Sequence, residues 1–293
     1  MATKPLDLPL VVIVGPTASG KTSLAISLAK RFGGEIICAD SRTIYKGMDI
    51  GTAKPSLEDQ LAVPHWGIDL VLPGEYFSAS SFKSYAVDKI AEIRDRGNVP
   101  FLVGGTGLYV DSVIFDYQFG PAVDMKARAK LENMSLSQLY EYCKKNNITL
   151  PENYKNKRYV VRAIEQGNIN NKRRLTPIDH SIVVGISTNK DVLMSRIKTR
   201  SEQLFEDGIV KEAKRLGEIY GWDSEAMKGN IYPLVRSYLK GDMSLDEIKE
   251  KFVTMDWRLA KRQLTWFKRD TYINWHSLKG AGDYLGQQLA NRD

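Results

Sequence analysis

Four short and largely apolar runs, separated by longer segments of mixed polarity, organise the chain. They cover residues 10–14, 35–39, 99–103 and 181–186, and each ends in small or polar residues. Runs of this length without polar alternation predict strands that are buried on both faces, as in parallel sheets. Apolar residues at helical spacing fill the segments between them, for example residues 78–96. The alternation, together with the phosphate-loop motif that follows the first strand, predicts an α/β fold of the phosphate-loop type. In such a fold helices flank a parallel sheet and ligands bind at the carboxyl ends of the strands.

The composition changes in the middle of the chain. Polar helix-forming residues predominate from about residue 119 to residue 154, and they predict a small helical insertion domain. We therefore divide the chain into the first part of a core domain (1–117), an insertion (118–155) and the second part of the core with C-terminal helices (156–293). Residues 191–270 have a helical pattern, and aromatic and cationic residues are interleaved within 245–267.

Composition limits the class of protein. The 293 residues suffice for one large domain that carries an insertion. No segment approaches the roughly 18 apolar residues of a membrane span, and the N-terminus lacks the apolar core of a signal peptide, so we predict a soluble, cytoplasmic protein. Cys38 and Cys143 lack the spacing of metal or redox sites, and we expect both to be inert packing residues.

The net charge of +7 is concentrated in one segment. Between residues 155 and 174 the single acid, Glu165, stands among seven cations: Lys155, Lys157, Arg158, Arg162, Lys172, Arg173 and Arg174. Such a concentration favours a polyanionic partner such as nucleic acid. A solvated charged face would give the same composition, so charge alone leaves both interpretations open.

A complete phosphate-loop motif, G-x-x-x-x-G-K-[ST], follows the first predicted strand and opens a segment with helical periodicity. The motif consists of Gly15, Pro16, Thr17, Ala18, Ser19, Gly20, Lys21 and Thr22. In such loops backbone N–H groups surround phosphate oxygens, the lysine adds a positive charge, and the final hydroxyl is a ligand for Mg²⁺. We predict that the loop binds a di- or triphosphate. The motif does not distinguish transfer of the phosphate from hydrolysis or simple binding.

Polar side chains also follow the second and third predicted strands. Asp40 comes directly after the second strand, and Thr106 lies in the glycine-rich segment 104–109 after the third. Because the carboxyl ends of parallel strands meet at one edge of a sheet, we expect both residues near the phosphate loop. A carboxylate at this position suits a general base, a metal ligand or a helix cap, and the sequence leaves these roles open.

Further cations are candidates for phosphate binding. Lys54 lies in the glycine-rich segment 47–55, which is either a phosphate-contacting loop or an ordinary turn. Arg196 and Arg200 stand one helical turn apart, so their guanidinium groups share a helix face and would suit a diphosphate. Paired arginines on a helix are also common surface charges, and this alternative stays open.

Residues 258–270 combine cations with an amide and aromatic rings. Lysine and arginine side chains contact RNA phosphates, while an amide such as that of Gln263 reads a base edge and an aromatic ring stacks on a base. The same pattern is typical of an amphipathic helix that buries Leu264, Trp266 or Phe267 in the core. The segment is therefore a candidate RNA contact with a structural alternative.

Taken together, these segments resemble the tRNA dimethylallyltransferase family. The resemblance extends from about residue 10 to residue 270. It rests on the phosphate loop, on Ala-Asp-Ser-Arg-Thr-Ile-Tyr-Lys-Gly-Met-Asp-Ile-Gly-Thr-Ala-Lys-Pro at 39–55, Val-Pro-His at 63–65, Gly-Gly-Thr-Gly-Leu-Tyr at 104–109, Arg-Ala-Ile-Glu at 162–165 and Lys-Arg-Gln-Leu-Thr-Trp-Phe at 261–267. Members of this family transfer the dimethylallyl group of dimethylallyl diphosphate to N6 of adenosine 37, beside the tRNA anticodon. They use Mg²⁺ and usually act as monomers.

The resemblance implies a role for each candidate residue. Asp40 would be the general base that removes a proton from N6, and Thr106 would line the channel where base and donor meet. The phosphate loop and Arg200 would hold the donor diphosphate, with Thr22 as the Mg²⁺ ligand. The set that contacts tRNA would be Asp40, Ser41, Arg42, Thr43, Thr106, Arg128, Arg158, Arg162, Lys261, Arg262, Gln263, Thr265 and Trp266.

Two segments depart from the family pattern. Residues 150–158 replace the usual histidine-proline-asparagine-aspartate stretch, and residues 229–234 replace a glycine-tyrosine-basic element of which Tyr232 alone aligns. We expect these differences to change the affinity for tRNA and the contacts with the donor rather than the class of reaction. Three other functions share part of the pattern: a small-molecule kinase that uses ATP, an adenylate isopentenyltransferase that prenylates a free nucleotide, and a non-catalytic RNA-binding protein.

Overall fold

The structure, a computed structural model, describes residues 8–120, 124–167 and 173–291, except for the side chain of Met125. Within these ranges six strands form one parallel sheet in the order β3-β2-β4-β1-β5-β6. The strands are β1 (Leu10–Val14), β2 (Gly34–Cys38), β3 (His65–Trp66), β4 (Val99–Gly104), β5 (Ser181–Ile186) and β6 (Asn274–His276). The predicted α/β fold is confirmed, and the four predicted strands agree to within one residue.

The sequence does not predict the two strands at the edges of the sheet. Strand β3 has two residues and pairs with β2, and strand β6 has three residues and pairs with β5. Segments this short are below the length at which alternation or an apolar run becomes recognisable. Their residues are partly exposed, as expected for strands with one unpaired side.

Helices occupy the connections between the strands. They are α1 (Lys21–Phe32), α2 (Leu57–Ala62), α3 (Ala79–Asp95), α4 (Gly107–Ile114), α5 (Met125–Asn133), α6 (Leu136–Lys145), α7 (Lys157–Gln166), α8 (Lys190–Glu206), α9 (Ile209–Tyr220), α10 (Ile231–Leu239), α11 (Leu245–Phe267) and α12 (Leu278–Ala290). A short 3-10 helix covers Ala226–Lys228. The predicted helix at 78–96 is α3 with its N-cap Ser78 and C-cap Arg96.

Strand β1 lies at the centre of the core. All its side chains are fully buried, and those of Val11 and Ile13 belong to a cluster with the apolar residues of α1 and α12. Because side chains alternate along a strand, those of Leu10, Val12 and Val14 point to the opposite face, which is equally buried. Complete burial of each such side chain stabilises the fold by roughly 1.5–3 kcal/mol. Both faces of the sheet are therefore covered, and the strand ends are left for polar loops.

The chain divides into two compact units. The larger unit consists of residues 1–114 and 179–293 and contains the sheet, and the smaller unit consists of residues 115–178. The smaller unit is the helical insertion, but its end differs from the predicted boundary at residue 155. Helix α7 belongs to it because Val160 and Val161 are buried in one apolar cluster with Leu131, Leu139 and Cys143. The basic composition of α7 concealed this packing face in the sequence.

Both cysteines are free and buried. Burial raises the pKa of the Cys38 thiol to about 12, and the Asp40 carboxylate raises it as well. Burial also raises the pKa of Cys143. Thiols of this kind are poor nucleophiles. Across the described ranges, no helix is both long and apolar enough to cross a membrane.

Candidate active site

The phosphate loop connects the end of β1 to the start of α1. Gly20 caps the helix in a left-handed conformation with φ of 92°, which glycine adopts without strain. The N–H groups of Gly20, Lys21 and Thr22 have no hydrogen-bond acceptor within the described ranges. They lie at the positive end of the α1 dipole, where an anionic group is stabilised. The backbone therefore has the arrangement that the motif predicts.

The Lys21 side chain folds back over this loop. Its ammonium group donates a hydrogen bond to the carbonyl oxygen of Pro16 at 2.7 Å. Burial lowers the pKa of Lys21 to about 8, the Asp40 carboxylate raises it, and the Arg200 guanidinium lowers it further. The pKa of Lys21 thus depends on the charges of Asp40 and Arg200. An anion bound in the loop would raise this pKa and favour the protonated form.

Two arginines of α8 contact the loop. Arg196 Nη1 donates to the carbonyl oxygen of Ser19 at 3.1 Å and lies 3.5 Å from that of Ala18. Arg200 Nη1 donates to the hydroxyl of Thr17. These contacts place both guanidinium groups against the phosphate loop, which favours a role in binding phosphate over that of ordinary surface charges. The Arg200 guanidinium also faces the buried carboxylate of Asp256, with 3.7 Å between Nη1 and Oδ2.

A cavity of about 510 Å³ lies beside Arg200, a volume typical of small-molecule sites. Lys54 lines it, but the Lys54 ammonium donates to the carboxylates of Asp49 and Asp69, each at 2.6 Å, and to the carbonyl of Tyr45 at 3.0 Å. Its side chain is only 3% exposed. The charge of Lys54 is therefore neutralised within the protein, which favours the structural turn over a phosphate contact.

Asp40 and Thr106 are brought together by the pairing of β2 with β4. The Asp40 Oδ1 atom accepts a hydrogen bond from the backbone N–H of Arg42 at 2.8 Å, which fixes a local turn. The Thr106 hydroxyl accepts from the N–H of Ser41 at 3.0 Å and donates toward its hydroxyl at 3.4 Å. Thr43 is buried, and its hydroxyl lies 3.5 Å from the carbonyl of Asp40. The two predicted catalytic residues thus belong to one hydrogen-bonded group.

Glycine is required where these two strand ends meet. A Cβ atom at Gly104 would lie 2.1 Å from the carbonyl oxygen of Ala39, a backbone atom that cannot move aside. The N–H of Thr106 donates to the same carbonyl at 3.2 Å. The glycine-rich sequence after β4 therefore allows the Thr106 loop to approach the residue that precedes Asp40.

The C-terminal part of α11 lies against both loops. The Gln263 amide oxygen accepts from the N–H of Thr17 at 2.8 Å, and its amide nitrogen donates to the carbonyl of Gly105 at 3.1 Å. Trp266 Nε1 donates to the carboxylate of Asp111 at 2.8 Å, and Arg269 covers its ring with 4.1 Å to the centroid. The polar groups of Gln263 and Trp266 are thus bonded to the protein, whereas the family resemblance implied that both residues contact tRNA.

The remaining predicted RNA contacts of the larger unit are more accessible. Lys261, Arg262 and Thr265 are exposed on α11, and Lys261 lies over the ring of Trp257 at 5.3 Å. Arg42 donates to the carbonyl of Glu225 at 2.9 Å. The exposed parts of these side chains are available for contact with a polyanion.

The smaller unit carries the other predicted RNA contacts. Arg128 on α5 donates to Glu132 at 2.8 Å and lies 3.4 Å from the Glu165 carboxylate. Arg162 on α7 also pairs with Glu165 at 3.2 Å, while Arg158 is exposed on the same helix. Arg128 and Arg162 are thus oriented by shared acids. Lys172 of the basic segment lies outside the described residues.

A buried carboxylate that no sequence motif indicates holds the loop after Asp40. Glu212 on α9 accepts hydrogen bonds from the N–H groups of Asp49, Ile50 and Gly51 at 2.8–2.9 Å and from the Tyr232 hydroxyl at 2.9 Å. Burial raises the pKa of Tyr232, and the Glu212 charge raises it as well. The Tyr232 hydroxyl therefore has a structural role, since its proton is used in the hydrogen bond to Glu212 and not in a contact with a bound diphosphate.

Comparison with known proteins identifies the family of this chain. The family model described as IPP transferase matches residues 43–270, and the model described as isopentenyl transferase matches residues 8–69. The tRNA dimethylallyltransferase of Acetivibrio thermocellus is 41% identical over 284 residues, which cover 91% of this chain and 90% of that protein.

Solved structures show the same fold. The full-length tRNA isopentenylpyrophosphate transferase from Bacillus halodurans is 35% identical, with 97% of each chain covered and a TM-score of 0.74. A eukaryotic dimethylallyltransferase solved while acting on tRNA shares the fold with a TM-score of 0.77, at 23% identity over 96% of this chain and 77% of that one. The family-model match covers most of the sequence, and this chain therefore belongs to the IPP transferase family.

Proposed function

We propose that this protein transfers the dimethylallyl group from dimethylallyl diphosphate to N6 of adenosine 37 in tRNA, giving N6-(dimethylallyl)adenosine. The observation that carries the proposal is the proximity of an anion-binding loop and a carboxylate at one edge of the sheet. The Lys21 ammonium belongs to the loop, and its pKa responds to the charge of Asp40. A donor diphosphate and an acceptor that loses a proton need this pair of groups. We also propose that the protein is cytoplasmic and acts as a monomer.

On the donor side, the allylic C–O bond breaks and its electron pair leaves with the diphosphate. The negative charge that develops on the leaving group is stabilised by groups already fixed in place. These are the N–H groups of Gly20, Lys21 and Thr22 at the start of α1, the Lys21 ammonium and the Arg200 guanidinium. The phosphate loop acts here on a leaving group, and no phosphoryl group is transferred.

On the acceptor side, N6 of the adenine forms the new bond to the allylic carbon and loses a proton to Asp40. The turn to the Arg42 N–H orients one oxygen of Asp40, and the described residues give the other oxygen no hydrogen-bond partner. The hydroxyl of Thr106 is held next to Asp40 through Ser41. A carboxylate with a free oxygen at hydrogen-bond distance from N6 is suited to general-base catalysis.

The acceptor base must leave the stack of the anticodon loop to reach Asp40, as in other enzymes that modify bases. The side chains proposed to contact the RNA backbone are the exposed Lys261, Arg262 and Thr265 on α11, the exposed Arg158 on α7, and the half-buried Arg128 and Arg162 in the smaller unit. Because these are mainly cationic side chains, affinity for the anticodon stem-loop should decrease with salt concentration.

The residues present fit Mg²⁺ as a cofactor that arrives with the donor. The described residues include no group of three or more His, Cys, Asp or Glu that could hold a metal ion by itself. Mg²⁺ usually keeps several waters and binds substrate phosphates together with one or two protein oxygens. Thr22 offers an exposed hydroxyl in the first turn of α1, which is such a ligand. When bound, the ion would neutralise charge on the diphosphate.

A mass-spectrometric transfer assay tests the function and separates it from its rivals. The protein is incubated with Mg²⁺, dimethylallyl diphosphate and an anticodon stem-loop that carries adenosine 37, with AMP and ATP as parallel acceptors. We expect a dimethylallyl mass gain on the RNA alone. A gain on the free nucleotide alone would assign the chain to the adenylate isopentenyltransferases, and phosphate transfer from ATP would favour a kinase.

A further inference from the structure

The side chain of Gln263 joins two loops that are far apart in the sequence. Its amide oxygen accepts a hydrogen bond from the N–H of Thr17 in the phosphate loop at 2.8 Å, across 246 residues. Its amide nitrogen donates to the carbonyl of Gly105 at 3.1 Å. One amide thus satisfies a donor in the donor-binding loop and an acceptor in the loop that contains Thr106. We refer to this arrangement, Thr17–Gln263–Gly105, as the Gln263 bridge.

The surroundings of the Gln263 bridge leave little space for another arrangement. A Cβ atom at Gly105 would lie 2.3 Å from the Gln263 amide nitrogen, so the amide occupies the space in which a side chain would stand. At the neighbouring Gly107, a Cβ atom would lie 2.1 Å from the Trp266 ring, which comes from the next turn of α11. Helix α11 therefore packs directly against the backbone of this loop at two glycines.

The bridge is continuous with the proposed catalytic group. Gly105 precedes Thr106, whose hydroxyl accepts from the N–H of Ser41, and Ser41 follows Asp40. On the other side, Thr17 also accepts from Arg200 through its hydroxyl. A short path of hydrogen bonds therefore leads from the phosphate loop through Gln263 to the residues beside Asp40.

We propose, on the basis of the function proposed above, that Gln263 is a positioning residue that sets the distance between the bound diphosphate and the acceptor base, and that its amide does not read a base of the tRNA. The two backbone bonds use one N–H and one oxygen lone pair of the amide and fix its orientation, so turning the amide toward a base edge would break the bridge. Displacement of one loop by about 1 Å would separate the allylic carbon from N6, and misplacements of this size reduce turnover up to about a hundredfold.

The test uses Gln263→Met, which keeps the length and approximate volume of the side chain but removes both hydrogen bonds. The matched control is Gln287→Met, the same change at an exposed position of α12. Three quantities are measured: the dissociation constant of pyrophosphate with Mg²⁺ by calorimetry without RNA, the dissociation constant of the anticodon stem-loop without donor, and kcat with both substrates saturating.

For Gln263→Met we expect pyrophosphate binding to weaken about three- to tenfold, the effect of losing one or two hydrogen bonds. We expect kcat to fall by about ten- to a hundredfold and stem-loop affinity to stay within about twofold. Gln287→Met should match the unaltered protein in all three. Loss of stem-loop affinity with unchanged pyrophosphate binding would overturn the inference and make Gln263 an RNA contact.

A second variant guards against a folding defect in the first. Gly105→Ala displaces the Gln263 amide from the opposite side, and Gly105 does not have the left-handed backbone that would strain an alanine. It should reproduce the loss of kcat with little change in stem-loop affinity, and a normal kcat would contradict the inference. Absence of pyrophosphate binding in the unaltered protein is a distinct result, because it would reject the proposed function itself.

Discussion

Two carboxylates lie near the two ends of strand β2, Glu35 within the strand and Asp40 just beyond it, and they have different environments. Near its amino end, Glu35 is 3% exposed and accepts four hydrogen bonds at 2.6–2.9 Å, one each from Trp66 and Asn98 and two from Arg96. Burial alone would raise the pKa of Glu35, but the hydrogen bonds from Arg96, Asn98 and Trp66 outweigh it and hold the pKa below its usual value. The protein itself saturates this carboxylate.

Beyond the carboxyl end of the same strand, Asp40 accepts one hydrogen bond, from the Arg42 N–H, among the described residues. Its other oxygen is available to an external hydrogen-bond donor. The charge of Asp40 also interacts with the Lys21 ammonium of the phosphate loop and raises the pKa of Lys21. The comparison shows that charge does not distinguish a structural carboxylate from a reactive one. The two carboxylates differ instead in the number of protein groups that donate hydrogen bonds to them.

The largest effect is expected for Asp40→Asn. An amide cannot take the proton from N6, so turnover should fall by at least about a hundredfold, the usual contribution of a general base. The unfolding free energy should change by no more than about 0.5 kcal/mol, because the Oδ1 atom of asparagine can still accept the hydrogen bond from the Arg42 N–H. Single-turnover transfer assays and chemical denaturation measure the two quantities. Near-normal turnover would remove Asp40 from its proposed role.

The next largest effect concerns Lys21. Its pKa near 8 means that the free protein loses this proton as the pH rises above 8. Diphosphate binds the protonated form, so affinity for pyrophosphate should fall above pH 8 by up to about tenfold per pH unit. In Lys21→Met, affinity should be lower by roughly ten- to a hundredfold, the scale of a charged hydrogen bond, and this pH dependence should disappear. Calorimetry of pyrophosphate binding between pH 7 and 9.5 measures this dependence in both proteins. If affinity still falls above pH 8 in Lys21→Met, a group other than Lys21 causes the decrease.

Glu35→Gln is the counterpart of the Asp40 substitution at the other end of β2. It leaves donors of Trp66, Asn98 and Arg96 without their charged acceptor, and the unfolding free energy should fall by about 1–3 kcal/mol. Turnover of the folded protein should be unchanged. Because the pKa of Glu35 is lowered in the fold, its contribution is present above the ordinary value of 4.5 and is lost as the pH falls below it. The difference between the two proteins in denaturation midpoints should therefore shrink at acid pH.

The smallest effect is expected in the smaller unit. Arg158→Ala removes an exposed cation of α7. If this residue contacts a phosphate, the plot of log affinity for the stem-loop against log salt should lose about one unit of slope, and affinity should fall a few-fold. Glu141→Ala, which changes an exposed residue of α6, serves as a control that should not reduce the affinity. An unchanged salt dependence in Arg158→Ala would exclude Arg158 from the RNA contacts.

The sequence predicted those features that depend on contiguous residues. The four longer strands and the phosphate loop were recognisable because a run of apolar residues or a spaced motif contains all the information. The adjacency of Asp40 and Thr106 also followed, since parallel strands place their carboxyl ends at one edge.

Features that depend on distant partners could not be predicted. The interactions of Glu212 with residues 49–51 and of Gln263 with Thr17 connect positions more than 160 residues apart, and neither residue belongs to a local pattern that requires such a contact. Lys54 has the composition of a phosphate contact, but two acids 5 and 15 residues away neutralise it. The boundary predicted at residue 155 falls inside the smaller unit for a related reason, because the apolar face of α7 packs against residues of the insertion.

The central claim is that the phosphate loop and Asp40 form one site for donor and acceptor. A crystal structure of the protein with Mg²⁺, pyrophosphate and an anticodon stem-loop tests it most directly. We predict pyrophosphate at the N–H groups of Gly20–Thr22 and the N6 atom of adenosine 37 about 2.6–3.2 Å from the Asp40 carboxylate. Pyrophosphate bound elsewhere, or an adenine whose N6 lies beyond the reach of Asp40, would contradict the account.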